Sequence, residues 1–273
     1  MQTAKRPKRG TSWHVIGAQL AALRKAAGYT QAQLAEVLEL DIETIASIEQ
    51  GRRALKLNFA EVLDELLDTK GALAAGVKNV PQRERFPLFA QEFVDYEQEA
   101  LTLLSYENQV VPGLLQTADY MRAVFSNLYP PLDGDELEEW VLARLERQEV
   151  LRRKPRPMLN FLLEESILHR PVGGEEVLRA QNQHLRQCAE LPFLGLQIMP
   201  TQVKRHAGLA GPMVLLETPD HDQLAYVEGQ RVSFLADDPD EASVLQAKYG
   251  MLRSQALSPG KSMDLLDALL GET

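Results

Sequence analysis

The chain has little cysteine and no long apolar run. Its 273 residues contain one cysteine, Cys188, so no disulfide can form within the chain and no cysteine-based zinc site is expected. This usage suits a reducing compartment. No run of about 18 apolar residues occurs, so no transmembrane helix is predicted. The basic start, MQTAKRPKRG, is not followed by an apolar segment and does not resemble a secretory signal. These features predict a cytoplasmic protein.

Motifs for metal binding and catalysis are also missing. The chain has five histidines: His14, His169, His184, His206 and His221. They do not stand at His-x3-His or His-E-x-x-H spacing, so we expect no metal site. G-x-S-x-G is absent, and PVGGEE at 171–176 lacks both the Walker lysine and the dinucleotide-binding pattern. We therefore expect no cofactor and no enzymatic activity.

The charge is divided unevenly along the chain. The net charge is −10, but residues 1–56 hold nine basic and five acidic side chains, a net of +4, which leaves −14 for the rest. A basic N-terminal part on an acidic body allows only that part to approach phosphates. Its first residues form a basic arm that either enters a minor groove or remains a solvated tail. The basic residues of this arm are Lys5, Arg6, Lys8 and Arg9.

Apolar spacing near the N-terminus predicts a group of short helices. The first helix is indicated by Ile16, Leu20, Leu23 and Ala27. Gly28 follows it as a helix-ending glycine. Thr30 and Gln33 form a capping-box pattern for a second helix, and Asp41 stands where it can cap a third. Two short helices packed on another helix are typical of a helix-turn-helix.

The stretch GYTQAQLAEVL followed by TIASIEQGRR resembles the Xre-type helix-turn-helix regulators, through TQ-x-x-LA and then IE-x-G. The resemblance implies that the third helix enters the major groove of double-stranded DNA. It assigns Gln31, Arg52 and Arg53 to the phosphate backbone. It assigns base edges or flanking phosphates to Ile42, Glu43, Thr44 and Ser47. Glu49 is interpreted as holding the domain together.

Two positions depart from the Xre-type pattern. Glu39 stands where the turn usually has glycine, and a left-handed backbone is costlier for glutamate. The recognition face is also poor in hydrogen-bond donors. Glu43 could accept from a cytosine amino group or repel phosphates, and Ile42 could pack on a thymine methyl.

The pattern divides the chain into two domains. Residues 1–78 are predicted to form an all-α, five-helix head with residues 1–12 as its arm, residues 79–86 a linker, and residues 87–273 a larger α+β domain. A helix at 59–67 closes the head, and Gly71 and Gly76 interrupt the pattern after it. In the larger domain, helices are predicted at 87–108, after Pro112-Gly113, and at 136–152, 177–191, 238–255 and 261–270. Strands are predicted at 158–163, 194–199, 213–217, 224–227 and 232–235.

The larger domain carries a second resemblance. VVPGLLQTADYMRAV, VLARLERQEVL, LLEESILHRPVGG, HAGLAGPMVLLE, YVEGQ and ALSPGKS occur in this order. Together they resemble the C-terminal domain of the WhiJ-like regulators of actinobacteria, over roughly residues 86–270. The resemblance implies regulation of development or secondary metabolism. It also implies partnership with a small protein encoded nearby, in an antitoxin-like arrangement.

Five polar residues of the larger domain are candidates for a ligand or partner pocket, with ordinary surface charge as the alternative. They are Glu164, Glu165, His206, Tyr226 and Glu228. The leading hypothesis is a homodimeric regulator that reads a pseudo-palindromic operator and responds to a ligand or a small partner protein. The alternative is an antitoxin-like interaction module that sequesters a small effector and binds DNA mainly for autoregulation. An enzyme with a DNA-binding head is the third hypothesis, and no catalytic set supports it.

Overall fold

The computed structural model describes residues 11–80, 91–229 and 233–271. The chain divides into two compact units, Met1–Glu84 and Arg85–Thr273. The basic arm around Lys5 and Arg9 and residues 81–86 of the predicted linker lie outside the described residues.

The N-terminal unit contains the predicted five helices. They are α1 Ser12–Ala26, α2 Gln31–Leu38, α3 Ile42–Glu49, α4 Leu57–Leu66 and α5 Ala72–Lys78. The helices enclose one apolar core whose most buried members include Leu20, Leu34, Ile45, Leu55 and Leu63. The all-α head is confirmed, because each helix contributes an apolar stripe to this core.

The helix ends in the head follow the sequence signals in part. The capping box is present, since Thr30 Oγ1 accepts from Gln33 N at 3.2 Å and Gln33 Oε1 accepts from Thr30 N at 2.8 Å. Asp41 occupies the N-cap position of α3, but its side chain makes no capping hydrogen bond. Glu39 adopts the left-handed conformation, with φ 54° and ψ 41°, so this turn is formed without the usual glycine.

The predicted interruption is present at Gly71, which lies between α4 and α5 with φ +84°, but it is wrong at Gly76, which lies inside α5. A distant side chain supplies the cap that the local sequence lacks. The Asp64 carboxylate accepts from Leu73 N at 2.9 Å and from Ala74 N at 2.8 Å. These bonds satisfy two donors that every helix start leaves open. Local sequence patterns do not reveal a cap that comes from the preceding helix.

The C-terminal unit is a mixed sheet with helices, which confirms the α+β prediction. Its helices are α6 Gln91–Glu99, α7 Ala118–Ser126, α8 Gly134–Arg147, α9 Glu175–Cys188, α10 Pro239–Gln255 and α11 Pro259–Leu270. Its strands are β1 Thr102–Glu107, β2 Met158–Glu164, β3 Leu194–Met199, β4 Met213–Glu217, β5 Gln223–Glu228 and β6 Ser233–Ala236. The sheet order is β3-β2-β1-β4-β5-β6. The pairs β1·β2 and β2·β3 are parallel, and the other pairs are antiparallel.

The helix predicted over 87–108 is wrong in its second half. Helix α6 ends at Glu99, and β1 then forms a central strand between β2 and β4. Leu103 and Leu104 fit a helical stripe, but in the structure they face opposite sides of the sheet. A central strand is apolar on both faces, so its sequence loses the alternation that marks a half-buried strand.

The sheet separates two cores. One face packs against α9 and α11 and includes Leu103, Phe161 and Tyr226, while the other packs against α10 and includes Tyr106 and Leu162. Strands β1, β2, β3 and β5 run in the same direction, so their carboxyl ends share one edge. Three of these strands end in glutamate, at Glu107, Glu164 and Glu228.

Candidate nucleic-acid interface and polar clusters of the C-terminal unit

The predicted DNA-reading residues lie on and beside α3. Ile42 is 52% exposed and Glu43 is exposed, whereas Thr44 and Ser47 are half-buried. Arg53 Nη1 donates to Thr44 Oγ1 at 3.4 Å, so this arginine also supports the recognition helix. Helix α3 therefore presents a narrow face with one apolar and one acidic side chain at its exposed start.

Glu49 anchors the end of α3 in the head. Its carboxylate binds Arg24 through two contacts, Nε–Oε1 at 2.5 Å and Nη2–Oε2 at 3.0 Å. Gln31 Nε2 also donates to Glu49 Oε2, at 2.7 Å, and Arg24 Nη1 donates to the carbonyl of Tyr29 at 2.8 Å. Burial would raise the pKa of Glu49, but the hydrogen bonds from Arg24 and Gln31 outweigh it and leave that pKa lowered. Gln31, predicted at the phosphate backbone, thus uses one of its two amide N–H groups in this cluster, which joins α1, α2 and α3.

Two glycines allow α1 and α3 to approach closely. A Cβ on Gly17 would lie 2.3 Å from the carbonyl oxygen of Ile48. Gly51, which ends the IE-x-G motif, has φ +65°, and a Cβ there would lie 2.5 Å from the Cα of His14. The motif glycine is therefore required by backbone conformation and by space.

The two arginines predicted to contact phosphate differ in exposure and in their hydrogen bonds. Arg52 is exposed, while Arg53 is half-buried and bound to Thr44. The backbone N–H groups of both residues donate to the carbonyl of Ser47, at 2.9 and 3.2 Å. This turn fixes the two arginines beside the recognition helix, where a cation is suited to a DNA phosphate.

The five candidate pocket residues do not form one site but lie at three separate places. Side chains alternate between the two faces of a sheet, so residues at strand ends need not share a face. Glu164 and His206 meet on the α10 face, with Nε2–Oε1 at 2.7 Å. Tyr226 and Glu228 meet on the α9 and α11 face, with the hydroxyl donating to Oε2 at 3.0 Å. Glu165 accepts from the backbone N–H of Thr201 at 2.8 Å and belongs to neither pair.

The cluster on the α10 face includes a residue that the sequence patterns did not indicate. Tyr106 donates its hydroxyl to Glu164 Oε1 at 2.8 Å, beside the His206 contact. The backbone N–H of Gly208 donates to His206 Nδ1 at 2.9 Å, so Nε2 carries the imidazole proton that points to Glu164. A Cβ on Gly208 would lie 2.3 Å from the Tyr106 hydroxyl. These bonds hold the loop after β3 against the ends of β1 and β2. The role of Tyr106 was missed because the sequence around it was predicted to be helical.

The cluster on the α9 and α11 face is richer in charge. Arg147 binds Glu97, which is 2% exposed, with Nη2–Oε2 at 2.6 Å. Glu107 accepts from the Ser105 hydroxyl at 2.9 Å. Arg144 donates from Nη1 to Gln116 Oε1 at 2.7 Å. Neither Arg144 nor Glu107 was predicted as a site residue; Glu107 was assigned to a helix, which concealed its place at the end of β1.

Glu107 makes the stability of the C-terminal unit pH-dependent. Burial raises its pKa to about 7, and Glu228 adds to this, while the Ser105 hydrogen bond, Arg147 and Arg144 oppose it. The contribution of protonated Glu107 to folding stability is complete below about pH 4.5, the pKa of the unfolded state. It is lost as the pH rises through about 7, the pKa of the folded state.

Glu107→Gln is expected to become more stable than the native protein by about 2 kcal/mol as pH rises from 5 to 8. Urea unfolding followed by Trp140 fluorescence in a Trp13→Phe background measures this. Trp140 reports on the C-terminal unit because its ring packs edge-on against Phe125 at 5.5 Å. The exposed Glu149→Gln variant is the control. A stability difference that is constant across this pH range would contradict the prediction.

The comparisons with known proteins agree with this division of the chain. A helix-turn-helix domain model matches residues 15–76, so the N-terminal unit is a helix-turn-helix domain, as found in DNA-binding regulators. A second model, "Domain of unknown function (DUF5753)", matches residues 90–268, which is more than half of the chain. The chain therefore belongs to the DUF5753 family. No curated protein and no solved structure matches it. In the described residues, no helix is long and apolar enough to cross a membrane.

Proposed function

We propose that this protein is a sequence-specific transcriptional regulator whose C-terminal domain binds a regulatory ligand or a small partner protein. The observation that carries the proposal is the anchoring of α3 by Glu49, which leaves Ile42 and Glu43 exposed at the start of that helix. A recognition helix must be held rigidly if its side chains are to read base edges. A homodimer would place two such helices on the half-sites of a pseudo-palindromic operator about one DNA turn apart. The protein would act in the cytoplasm, and the WhiJ-like resemblance supports an actinobacterial regulator of this type.

Fluorescence anisotropy with the protein's own upstream DNA and with scrambled DNA, across a salt series, tests the proposal. Arg52→Ala is expected to weaken binding to both DNAs and to reduce the salt slope by about 1, because one phosphate contact is lost. Ser47→Ala is expected to weaken binding to the upstream DNA by about tenfold and to leave the scrambled DNA unaffected. Lys70→Ala is the control, since Lys70 lies between α4 and α5 and pairs with exposed Asp68. Equal affinity for both DNAs at moderate salt would refute sequence-specific regulation by the isolated protein.

A second function is favoured by the chemistry of the recognition face. Ile42 is 52% exposed and Glu43 adds a negative charge, so the face suits an interaction with protein as well as with DNA. We therefore propose, as a second function, an antitoxin-like module in which the chain sequesters a small effector protein and binds DNA for autoregulation. Size-exclusion chromatography after co-expression with the small protein encoded next to it tests this function. Ile42→Asp is expected to abolish the complex, and separate elution of the two native proteins would contradict the idea.

A further inference from the structure

Within the described residues, Arg144 in the C-terminal unit has no carboxylate partner of the kind that comparable arginines have. Arg24, Arg122 and Arg147 each hold a glutamate side-on with the edge formed by Nε and Nη2. The Arg144 side chain makes one hydrogen bond within the described residues, from Nη1 to Gln116. Its Nε is buried and has no hydrogen-bond partner in that part of the chain. The edge that takes a carboxylate in three other arginines has no hydrogen-bond partner here among the residues that the structure describes.

The Arg144 guanidinium is nevertheless held in place. The Gln116 side chain that accepts from it is buried and is itself fixed, because its Nε2 donates to the carbonyl of Val111 at 2.6 Å. The guanidinium carbon lies 4.3 Å from the centroid of the Phe125 ring, which stacks beneath it. Gly113 lies against another side of the guanidinium, since a Cβ there would lie 3.4 Å from both Cδ and Nε of Arg144, an ordinary contact distance. A buried donor that is fixed but unpaired costs free energy unless a ligand completes it.

Carboxylates surround this arginine without pairing with it. Their charges act on Arg144 from Glu228, Glu97 and Glu107, in that order of strength, and the neighbouring Arg147 opposes them. Glu97 is committed to Arg147. Within the described residues, Glu107 and Glu228 accept side-chain hydrogen bonds from the hydroxyl groups of Ser105 and Tyr226. One free cationic edge and two carboxylates without a cationic partner at bonding distance therefore occupy the same region.

The position in the fold suits a ligand. Glu107 and Glu228 end β1 and β5 at the carboxyl edge of the same-direction strands. Strand β1 is also where pairing changes from parallel, with β2, to antiparallel, with β4. Open α/β sheets bind ligands outside the carboxyl ends of their strands. Phe93 and Tyr226, both buried, stack with centroids 4.0 Å apart and contact Arg147 and Glu228, respectively.

We propose that the Nε–Nη2 edge of Arg144 binds the carboxylate of a free amino acid, whose ammonium group is taken by Glu107 and Glu228. A carboxylate fits the guanidinium edge because it can accept two parallel hydrogen bonds. Glu107 and Glu228 would repel the carboxylate of the ligand unless the ligand also carried a positive charge. A zwitterion therefore suits both Arg144 and the two glutamates. This inference deepens the proposed function, because it rests on the C-terminal domain binding a regulatory small molecule.

Isothermal titration calorimetry of the full chain with each of the twenty common L-amino acids tests the ligand class. We expect at least one to bind. The corresponding amine without the carboxylate, and the corresponding acid without the amine, should each bind about tenfold more weakly or worse, because each leaves one charged side of the site unpaired. Absence of binding by all twenty, or equal binding by a binder's two analogues, would overturn the proposal.

Variants separate a ligand-binding arginine from a structural one. Arg144→Lys keeps the positive charge but removes the two parallel N–H donors of the guanidinium edge. It is expected to lower the affinity for the amino acid by about tenfold or more. Arg122→Lys is the matched control, because Arg122 has its edge filled by Glu138 on the surface. Unchanged affinity in Arg144→Lys would contradict the assignment.

The calorimetry contains no DNA, so the two proposals can fail separately. Amino-acid binding by a protein that shows no DNA sequence preference would refute the regulator and leave this site intact. Sequence-specific DNA binding by a protein that ignores all twenty amino acids would refute this site and leave the regulator intact.

Discussion

Replacing Glu49 by alanine is expected to lower the free energy of unfolding of the head by about 3–5 kcal/mol. The Arg24 and Glu49 side chains are 9% and 7% exposed, so removing the carboxylate leaves the guanidinium buried without its counter-charge. Gln31 Nε2 loses the same acceptor. Urea unfolding followed by Trp13 fluorescence, in a Trp140→Phe background, measures the loss because Trp13 packs against the head core.

Two controls show whether burial of the pair causes the effect. Glu61 pairs with Lys78 at 3.4 Å, but these side chains are 56% and 58% exposed, so Glu61→Ala should cost less than about 1 kcal/mol. The double variant Arg24→Met with Glu49→Leu should recover most of the stability, because an apolar pair needs no counter-charge. If Glu49→Ala and Glu61→Ala are equally mild, the anchoring role assigned to Glu49 is wrong.

Replacing Gly17 by alanine is expected to destabilise the head by about 3 kcal/mol. The added methyl group would lie 2.3 Å from the Ile48 oxygen and 2.8 Å from the Glu49 oxygen, and both atoms belong to the backbone of α3. A backbone cannot move aside as a flexible side chain can, so α3 would shift as a whole. We expect affinity for the upstream DNA to fall together with stability, since α3 carries Ile42 and Ser47.

Gly76→Ala is the matched control for this prediction. Gly76 is also a helical glycine in the head, but its Cβ would lie 3.5 Å from Ile16 Cγ1, an ordinary contact. Alanine there should be neutral or should stabilise α5 by roughly 0.5–1 kcal/mol, because glycine is a poor helix former. Similar thermal unfolding of the head in Gly17→Ala and Gly76→Ala would show that the close approach of α1 and α3 is not required.

Both predictions concern how rigidly the recognition helix is held. The Glu49 cluster ties α3 to α1 and α2, and Gly17 sets how closely α1 approaches α3. Neither residue needs to touch DNA for its loss to weaken binding. A variant that lost affinity with unchanged stability would point to a direct contact, so unfolding and anisotropy should be measured on the same preparations.

Local signals were sufficient for most elements of the fold. The Thr30–Gln33 capping box and the apolar spacing of α1 to α3 lie within single helices, so the sequence alone is enough to recognise them. Strands β2 to β5 likewise show short apolar runs between turn residues. The bounds of α5 were not predicted, because its cap comes from Asp64, and β1 was predicted as helix, because burial on both faces removes the alternation.

The polar sites depended much more on tertiary structure. Glu164 and His206 were predicted to act together and do meet, whereas Tyr226 and Glu228 lie on the opposite face of the sheet. Arg144 on α8 lies within the VLARLERQEVL motif, but the motif assigned it no role, and an arginine on a charged helix usually lies in solvent. Its proximity to the charges of Glu228 and Glu107, and the absence of a partner for its Nε within the described residues, become visible after folding.

By itself the sequence determined the helix-turn-helix head, the α+β class of the larger domain and the residues that α3 presents, because these depend on spacing over a few turns of chain. The tertiary structure decided which face each strand-end glutamate occupies, which arginines obtain a carboxylate, and how closely α1 approaches α3. Those outcomes depend on register and on contacts between residues far apart in the chain, such as Arg24 with Glu49 and Arg147 with Glu97. Local propensity carries no information about such pairs.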